Sequence, residues 1–197
     1  MNNSYDFEVV IIGCGVIGLA IAQKLYDNNI KSVLLIDKNS KFGQETSSRN
    51  SQVIHSGIFN DINSKKFKHC IEGKNLLYNF LKKFDLEFEQ TEKIIVSNNS
   101  EIDSFNRFVQ DITKKQIPFS RISKKELSNI EPLVKSSNSL IIHESGILDA
   151  HMYMHQLYQV SNKSHTFLFH TNVLNIGFSN NCYKTKIKES YGAVSEV

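Results

Sequence analysis

Three shortages bound this 197-residue chain: it has few cysteines, few arginines, and no apolar run long enough for a membrane. Cys14, Cys70 and Cys182 are odd in number, far apart and without a C-x-x-C pair, which predicts reduced thiols and excludes a disulfide scaffold. Only Arg49, Arg107 and Arg121 are present, so no arginine clamp for a dicarboxylate can be assigned with security. The longest apolar stretch, positions 9–22, falls short of the roughly 20 residues a membrane helix needs. Asp6 and Glu8 precede it where a signal peptide requires basic residues, and glycines interrupt it. The expectation is a cytoplasmic protein without an integral membrane segment, peripheral membrane association being left open. Nor is there a long tract of one charge: the lysine pairs 65–66, 82–83, 114–115 and 124–125 are scattered and the net charge is only +3, so nucleic acid is not implied. Internal repeats and low-complexity linkers are absent as well.

What is present is an ordinary globular composition, 40% hydrophobic and 22% charged, in a length that suits one large domain or two small ones. Its most informative segment runs from Val9 to Asp37. Val9-Val10-Ile11-Ile12 is a short apolar run suited to a strand buried on both faces, and Ser32-Val33-Leu34-Leu35-Ile36 is a second. Between them Gly13-Cys14-Gly15-Val16-Ile17-Gly18 opens a helix, whose first amides, at Val16, Ile17 and Gly18, and whose dipole attract a pyrophosphate. The glycines have separate tasks in such a unit: Gly13 for the tight turn, Gly15 for close phosphate approach, Gly18 for helix–strand packing. Asp37 closes the second strand at about the twenty-residue distance expected of a carboxylate that accepts from ribose hydroxyls. An ordinary strand–helix–strand unit without a ligand explains neither the spacing nor the conformational cost of glycine inside a helix. An acid at position 37 disfavours a 2′-phosphate, although the adjacent Lys38 keeps that exclusion incomplete.

Lys41 to Phe59 is polar and rich in hydroxyl and amide donors, with Thr46, Ser47, Ser48, Asn50 and Ser51 able to follow a phosphate chain as a loop or short helix. Taken alone, it reads as a surface loop. Positions 64–84 carry apolar residues at helical spacing, from Phe67 and Cys70 to Leu81 and Phe84, and predict a long helix. Leu86–Glu89 and Lys93–Val96 read as two short strands, and Ile102, Phe105, Phe108, Val109 and Ile112 share one helix face. Ser123 followed by Glu126 is a capping box for a short helix ending before Pro132. A last helix is expected near His151 to Ser161, with several strands after it. His151 and His155 stand one helical turn apart, but no H-E-x-x-H is formed and further ligands are missing; no metal site is expected.

Gly13 to Gly18, followed by Ser47-Ser48-Arg49-Asn50-Ser51-Gln52-Val53-Ile54-His55-Ser56-Gly57-Ile58, resembles the FAD-dependent D-amino-acid-oxidase-like superfamily, and within it the L-2-hydroxyglutarate dehydrogenase/oxidase branch. Cys70-Ile71-Glu72-Gly73-Lys74, Glu92 to Val96, Ile130-Glu131-Pro132 and Glu144 to Asp149 add to the likeness. The resemblance implies an α/β fold, a Rossmann-like FAD-binding domain with a partial α+β substrate domain inserted: residues 1–84 and 139–197 in the former, 85–138 in the latter. It implies FAD as cofactor, with Thr46 to Ser51 beside the pyrophosphate and Val173 touching the adenine side through its backbone. The His-Ser-Gly at 55–57 would come near the isoalloxazine, which makes His55 the catalytic candidate, a base for the hydroxyl proton while hydride leaves the substrate carbon; packing against the ring is the alternative role. The implied activity is oxidation of a small 2-hydroxy acid such as L-2-hydroxyglutarate. Amine or glycerol-phosphate oxidation on the same fold stays open, as does an inactive fragment or one piece of a split enzyme. The likeness covers the first half of the family's usual length, and the expectation is a shortened chain whose missing C-terminal half could be a separate partner.

Overall fold

A computed structural model describes residues 6–197. Two compact units are present, one made of the segment ending at Ser51 together with Ala150–Val197, the other of Gln52–Asp149. These units part at 51 and 149, so the cuts expected at 84 and 138 do not coincide with them. The reason is strand pairing: the residues before and after the middle segment close a sheet with it that a local reading cannot see.

In the first unit, β1 (Val9–Ile12), α1 (Val16–Asp27) and β2 (Val33–Ile36) form the expected parallel pair with its crossover helix. All four residues of β2 are buried, as the uninterrupted Val-Leu-Leu-Ile run requires of a central strand covered on both faces. Its other edge pairs in parallel with a late strand, β7 (Thr166–Leu168), giving the order β1–β2–β7. Ile11, Cys14, Ala22, Val33 and Leu35 form one buried cluster; Leu34, Ile36 and Ile187 form another, so the alternate residues of β2 face two different layers.

The second unit, in chain order, contains β3 (Val53–Ile54), α2 (Lys65–Lys83), β4 (Phe88–Ser97), α3 (Ile102–Lys114), β5 (Phe119–Ile122), α4 (Lys124–Ile130) and β6 (Asn138–Leu148). β6 is its hub, antiparallel to β4 along its length on one side and to β3 and β5 on the other. The two short strands expected over 86–96 are one strand, β4, whose pairing register shifts between Thr91 and Lys93; a bulge explains why its alternation looked broken. α2 begins where Ser64 accepts the Phe67 amide at 3.0 Å, and α4 carries both bonds of the expected capping box between Ser123 and Glu126. The apolar face of α3 delivers Phe105 and Ile112, seven positions apart, to a core that includes Leu140 and Ile142, two apart on one face of β6.

The first unit is completed by α5 (Ala150–Ser161), which buries Met154, Leu157 and Val160, and by an antiparallel sheet of β8 (Thr171–Ser179), β9 (Cys182–Glu189) and β10 (Val194–Glu196). His165 sits in its core, with Nε2 3.0 Å from the Ala22 carbonyl. Among the described residues no helix is long and apolar enough to cross a membrane, and no third His, Cys, Asp or Glu joins His151 and His155 in a group suited to a metal.

Candidate functional site

The site in the first unit is built on the C-terminal ends of β1 and β2, where an open parallel sheet leaves a crevice for ligands. Gly13 leaves β1 with φ +99°, a backbone conformation side chains resist, and donates its amide to the Ile36 carbonyl at 2.8 Å. The chain then enters α1 with Gly15 as N-cap residue and no side-chain cap. At Gly18 any Cβ would meet the Gly13 carbonyl oxygen far inside contact distance, so helix and turn can approach only because the side chain is absent. A Cβ at Gly15 would stand 2.9 Å from Ser47 Oγ. That hydroxyl accepts the Val16 amide at 3.0 Å, bringing a side chain from a loop 31 residues on to the start of the helix.

Asp37 is held from four directions. Its amide donates to Leu168 and its carbonyl accepts from Thr171, which ties the end of β2 to the late strands. Its carboxylate accepts the Cys14 amide at 2.7 Å and the Asn39 amide at 2.9 Å. Each oxygen keeps lone-pair capacity for a further donor. Burial, with the Asp37 charge nearby, pushes the Cys14 thiol up to about 12, so the sulfur between the glycines is a neutral, packed atom and no nucleophile. Beyond it, Lys38 pairs with Glu45 at 3.0 Å and, with Asn39, holds the Glu45 carboxyl below its ordinary range.

These groups line a cavity of about 360 Å³. Of the residues singled out by sequence, Gly13, Gly15, Asp37, Lys38, Ser47 and Val173 meet in it. Val16, Ile17 and Gly18 form the first turn of α1 behind it. Thr46 and Ser48 do not line it; with Ser47 they form a 3-10 turn in which Ser48 donates to the Glu45 carbonyl and Asn50 to the Ser47 carbonyl, and Thr46, Asn50 and Ser51 are exposed. The Ser48 and Asn50 side chains therefore brace the turn that presents Ser47. Asn39, Gly43, Thr171 and Asn172 line the cavity unannounced. Gly43 had a readable signal, a glycine in a polar stretch: it has φ +69°, and a Cβ there would press on Met154.

His55 belongs to the second unit. It follows β3, is exposed, and its carbonyl accepts the Cys70 thiol at 3.3 Å. The segment after it is anchored: Gly57 has φ +78°, a Cβ there would crowd the Phe67 ring at 3.2 Å, and the Ile58 carbonyl accepts from the buried Lys115 ammonium at 3.0 Å, which also pairs with Asp111. Lys115 carried no sequence signal, since a lysine at a helix end reads as solvated. His55, Ser56, Lys66, His69, Cys70 and Lys93 are among the residues lining a cavity of about 570 Å³ in this unit.

Comparison with known proteins agrees with this architecture. Residues 8–195 match the sequence profile described as FAD dependent oxidoreductase. The chain is 33% identical over 189 residues to the mitochondrial L-2-hydroxyglutarate dehydrogenase of Arabidopsis thaliana, covering 95% of this chain and 38% of that one. It is 32% identical over 147 residues to the L-2-hydroxyglutarate dehydrogenase of Indibacter alkaliphilus, covering 73% and 37%. It thus spans little more than a third of the length of these curated relatives. Among solved structures, the dithionite-reduced L-alpha-glycerophosphate oxidase of Mycoplasma pneumoniae with FAD bound superposes with a TM-score of 0.81 at 29% identity, over 90% of this chain and 48% of that one. Glycine oxidase of Geobacillus kaustophilus, at 18% identity and a TM-score of 0.82 over 96% and 53%, shares the fold. With its parallel βαβ turn, its acid-terminated second strand and a profile match over nearly its whole length, the chain belongs to the FAD dependent oxidoreductase family.

Proposed function

We propose that this chain takes part in the FAD-dependent oxidation of a small 2-hydroxy acid of the L-2-hydroxyglutarate kind. The observation that carries the reading is the identity to an L-2-hydroxyglutarate dehydrogenase over 95% of the chain, through both compact units. The donor set of the first unit fits the adenosine diphosphate end of FAD. Amides at the start of α1 and the Ser47 hydroxyl suit a pyrophosphate, the Asp37 carboxylate suits ribose hydroxyls, and Ile12, Ile36 and Val173 offer an apolar wall. Bound FAD would supply the hydride acceptor, which no side chain can replace. In the second unit, His55 is the base we assign to the substrate hydroxyl proton: it is exposed at its cavity on a segment anchored by the Lys115 bond to the Ile58 carbonyl, as a positioned base requires. The domain reading follows: the first unit holds the nucleotide, and the second contributes to the substrate chamber.

A second reading, oxidation of a glycerol phosphate, is favoured by the 29% identity to the Mycoplasma pneumoniae L-alpha-glycerophosphate oxidase. One experiment separates the two. The purified chain is loaded with FAD and titrated anaerobically with L-2-hydroxyglutarate, L-lactate, glycine and glycerol 3-phosphate in parallel, following the flavin's visible absorbance. Bleaching by L-2-hydroxyglutarate is expected. A protein that takes up no FAD overturns the proposal for this chain, and bleaching by glycerol 3-phosphate alone transfers it to the second reading.

A further inference from the structure

The His55 cavity is notable for its charge. Lys66, His69 and Lys93 line it with His55, and no carboxylate does. The Lys66 and Lys93 ammonium groups make no ion pair or hydrogen bond among the described residues. Of the acids close to these residues in sequence, Glu92 pairs with His143, and Glu72 pairs with Lys68 and with His69 of the cavity wall. Two lysines thus line one cavity without a side-chain partner from the chain.

Two independent features point the same way. Lys65 and Lys66 occupy the first turn of α2, a 19-residue helix with no acid there, so cations sit against the positive end of the helix dipole. Stability favours the opposite sign, and a bound anion would relieve the conflict. Ser56, 1% exposed, also lines the cavity, and its hydroxyl has no hydrogen-bond partner. A buried donor left unmade in this way calls for an acceptor from outside the chain.

We propose that the cavity around His55 is an anion site, in which Lys66 and Lys93 take the acidic group of the substrate while Ser56 donates a hydrogen bond at its inner wall. The assignment rests on the functional reading above in taking this cavity as the substrate chamber. It names what that reading leaves open, namely which residues select for an acidic substrate in a chain with few arginines. Carboxylate and phosphate share the required chemistry, and the test distinguishes them.

Glutarate, inorganic phosphate and the neutral glutaramide are titrated into the full chain by isothermal calorimetry. The same is done with Lys66→Met, Lys93→Met, the double variant, and Lys125→Met, an exposed lysine of α4 outside the cavity. The methionine variants keep the apolar stem, and their melting curves verify the fold. Glutarate or phosphate should bind, about tenfold more weakly in each cavity variant and unchanged in Lys125→Met, with glutaramide not binding. Preference for glutarate points to a dicarboxylate substrate, and preference for phosphate to a glycerol phosphate. Absence of binding by both anions, equal binding of glutaramide, or undiminished binding in the double variant overturns the proposal. Because the readout needs no flavin, a failure of the oxidation reading leaves this result standing and is separately visible.

Discussion

Gly18→Ala sets two opposing effects against each other, and the structure decides the sign. In an exposed helix interior, glycine to alanine stabilises by about 1 kcal/mol, because alanine loses less backbone freedom on folding. At position 18 the added Cβ would be 3.3 Å from both the Gly13 carbonyl carbon and Ile11 Cγ2, with the Gly13 oxygen far inside contact. The obstacle is backbone, and it cannot rotate away. Gly13 is itself fixed by its amide bond to Ile36 and by φ +99°. Relief therefore requires α1 to lift from β1, at an overpacking cost of about 3 kcal/mol. The net loss is about 2 kcal/mol, or a melting temperature lower by about 4–8 °C for a chain of this size. Gly73→Ala is the internal control. Gly73 lies in α2, exposed, with nothing within 4 Å of its Cβ position, so the same substitution should raise the melting temperature by about 2–4 °C. Thermal unfolding followed by far-ultraviolet circular dichroism measures both. If Gly18→Ala melts at or above the parent temperature, the close approach of helix and turn is not what glycine provides there.

Gly15→Ala should displace the Ser47 hydroxyl, break its bond with the Val16 amide and weaken FAD uptake at least about tenfold in a flavin titration, while the melting temperature moves less than in Gly18→Ala; unchanged uptake would remove Ser47 from the phosphate site. His55→Gln should leave FAD uptake intact and slow anaerobic flavin reduction by about 10²- to 10⁴-fold in stopped-flow absorbance, with the loss shrinking as pH is raised and the substrate hydroxyl needs less help. Cys14 is fully buried and Cys70 and Cys182 are half-buried, so a thiol reagent should titrate two sulfurs quickly in the native chain and all three in denaturant. The folded value of about 12 for Cys14 lies above its ordinary 9.0, so its contribution is intact below pH 9 and is lost as pH rises toward 12; denaturation midpoints across that window should fall, and in Cys14→Ala fall less steeply.

The sequence by itself determined what depends on near neighbours. The Val9 to Asp37 unit was legible because a buried strand, a glycine turn and a helix start each leave a local signature, and the Ser123 cap is set within three residues. The family was legible for the same reason, since its motifs are runs. Tertiary structure decided whatever depends on distant partners. β6 is paired on both sides by strands from as far as 94 residues earlier, Val53 lying opposite Ile147, and that pairing, invisible in any window, moved the boundaries of the compact units to 51 and 149. Only folding could show that Asp37 accepts the Cys14 amide, that the Ser47 hydroxyl reaches the start of α1, and that Lys115 is buried under Ile58. A hydroxyl or an ammonium is written the same way in sequence whether it is solvated, bracing a turn or facing a ligand. Its role is fixed by the backbone groups that the fold brings to within 3 Å of it.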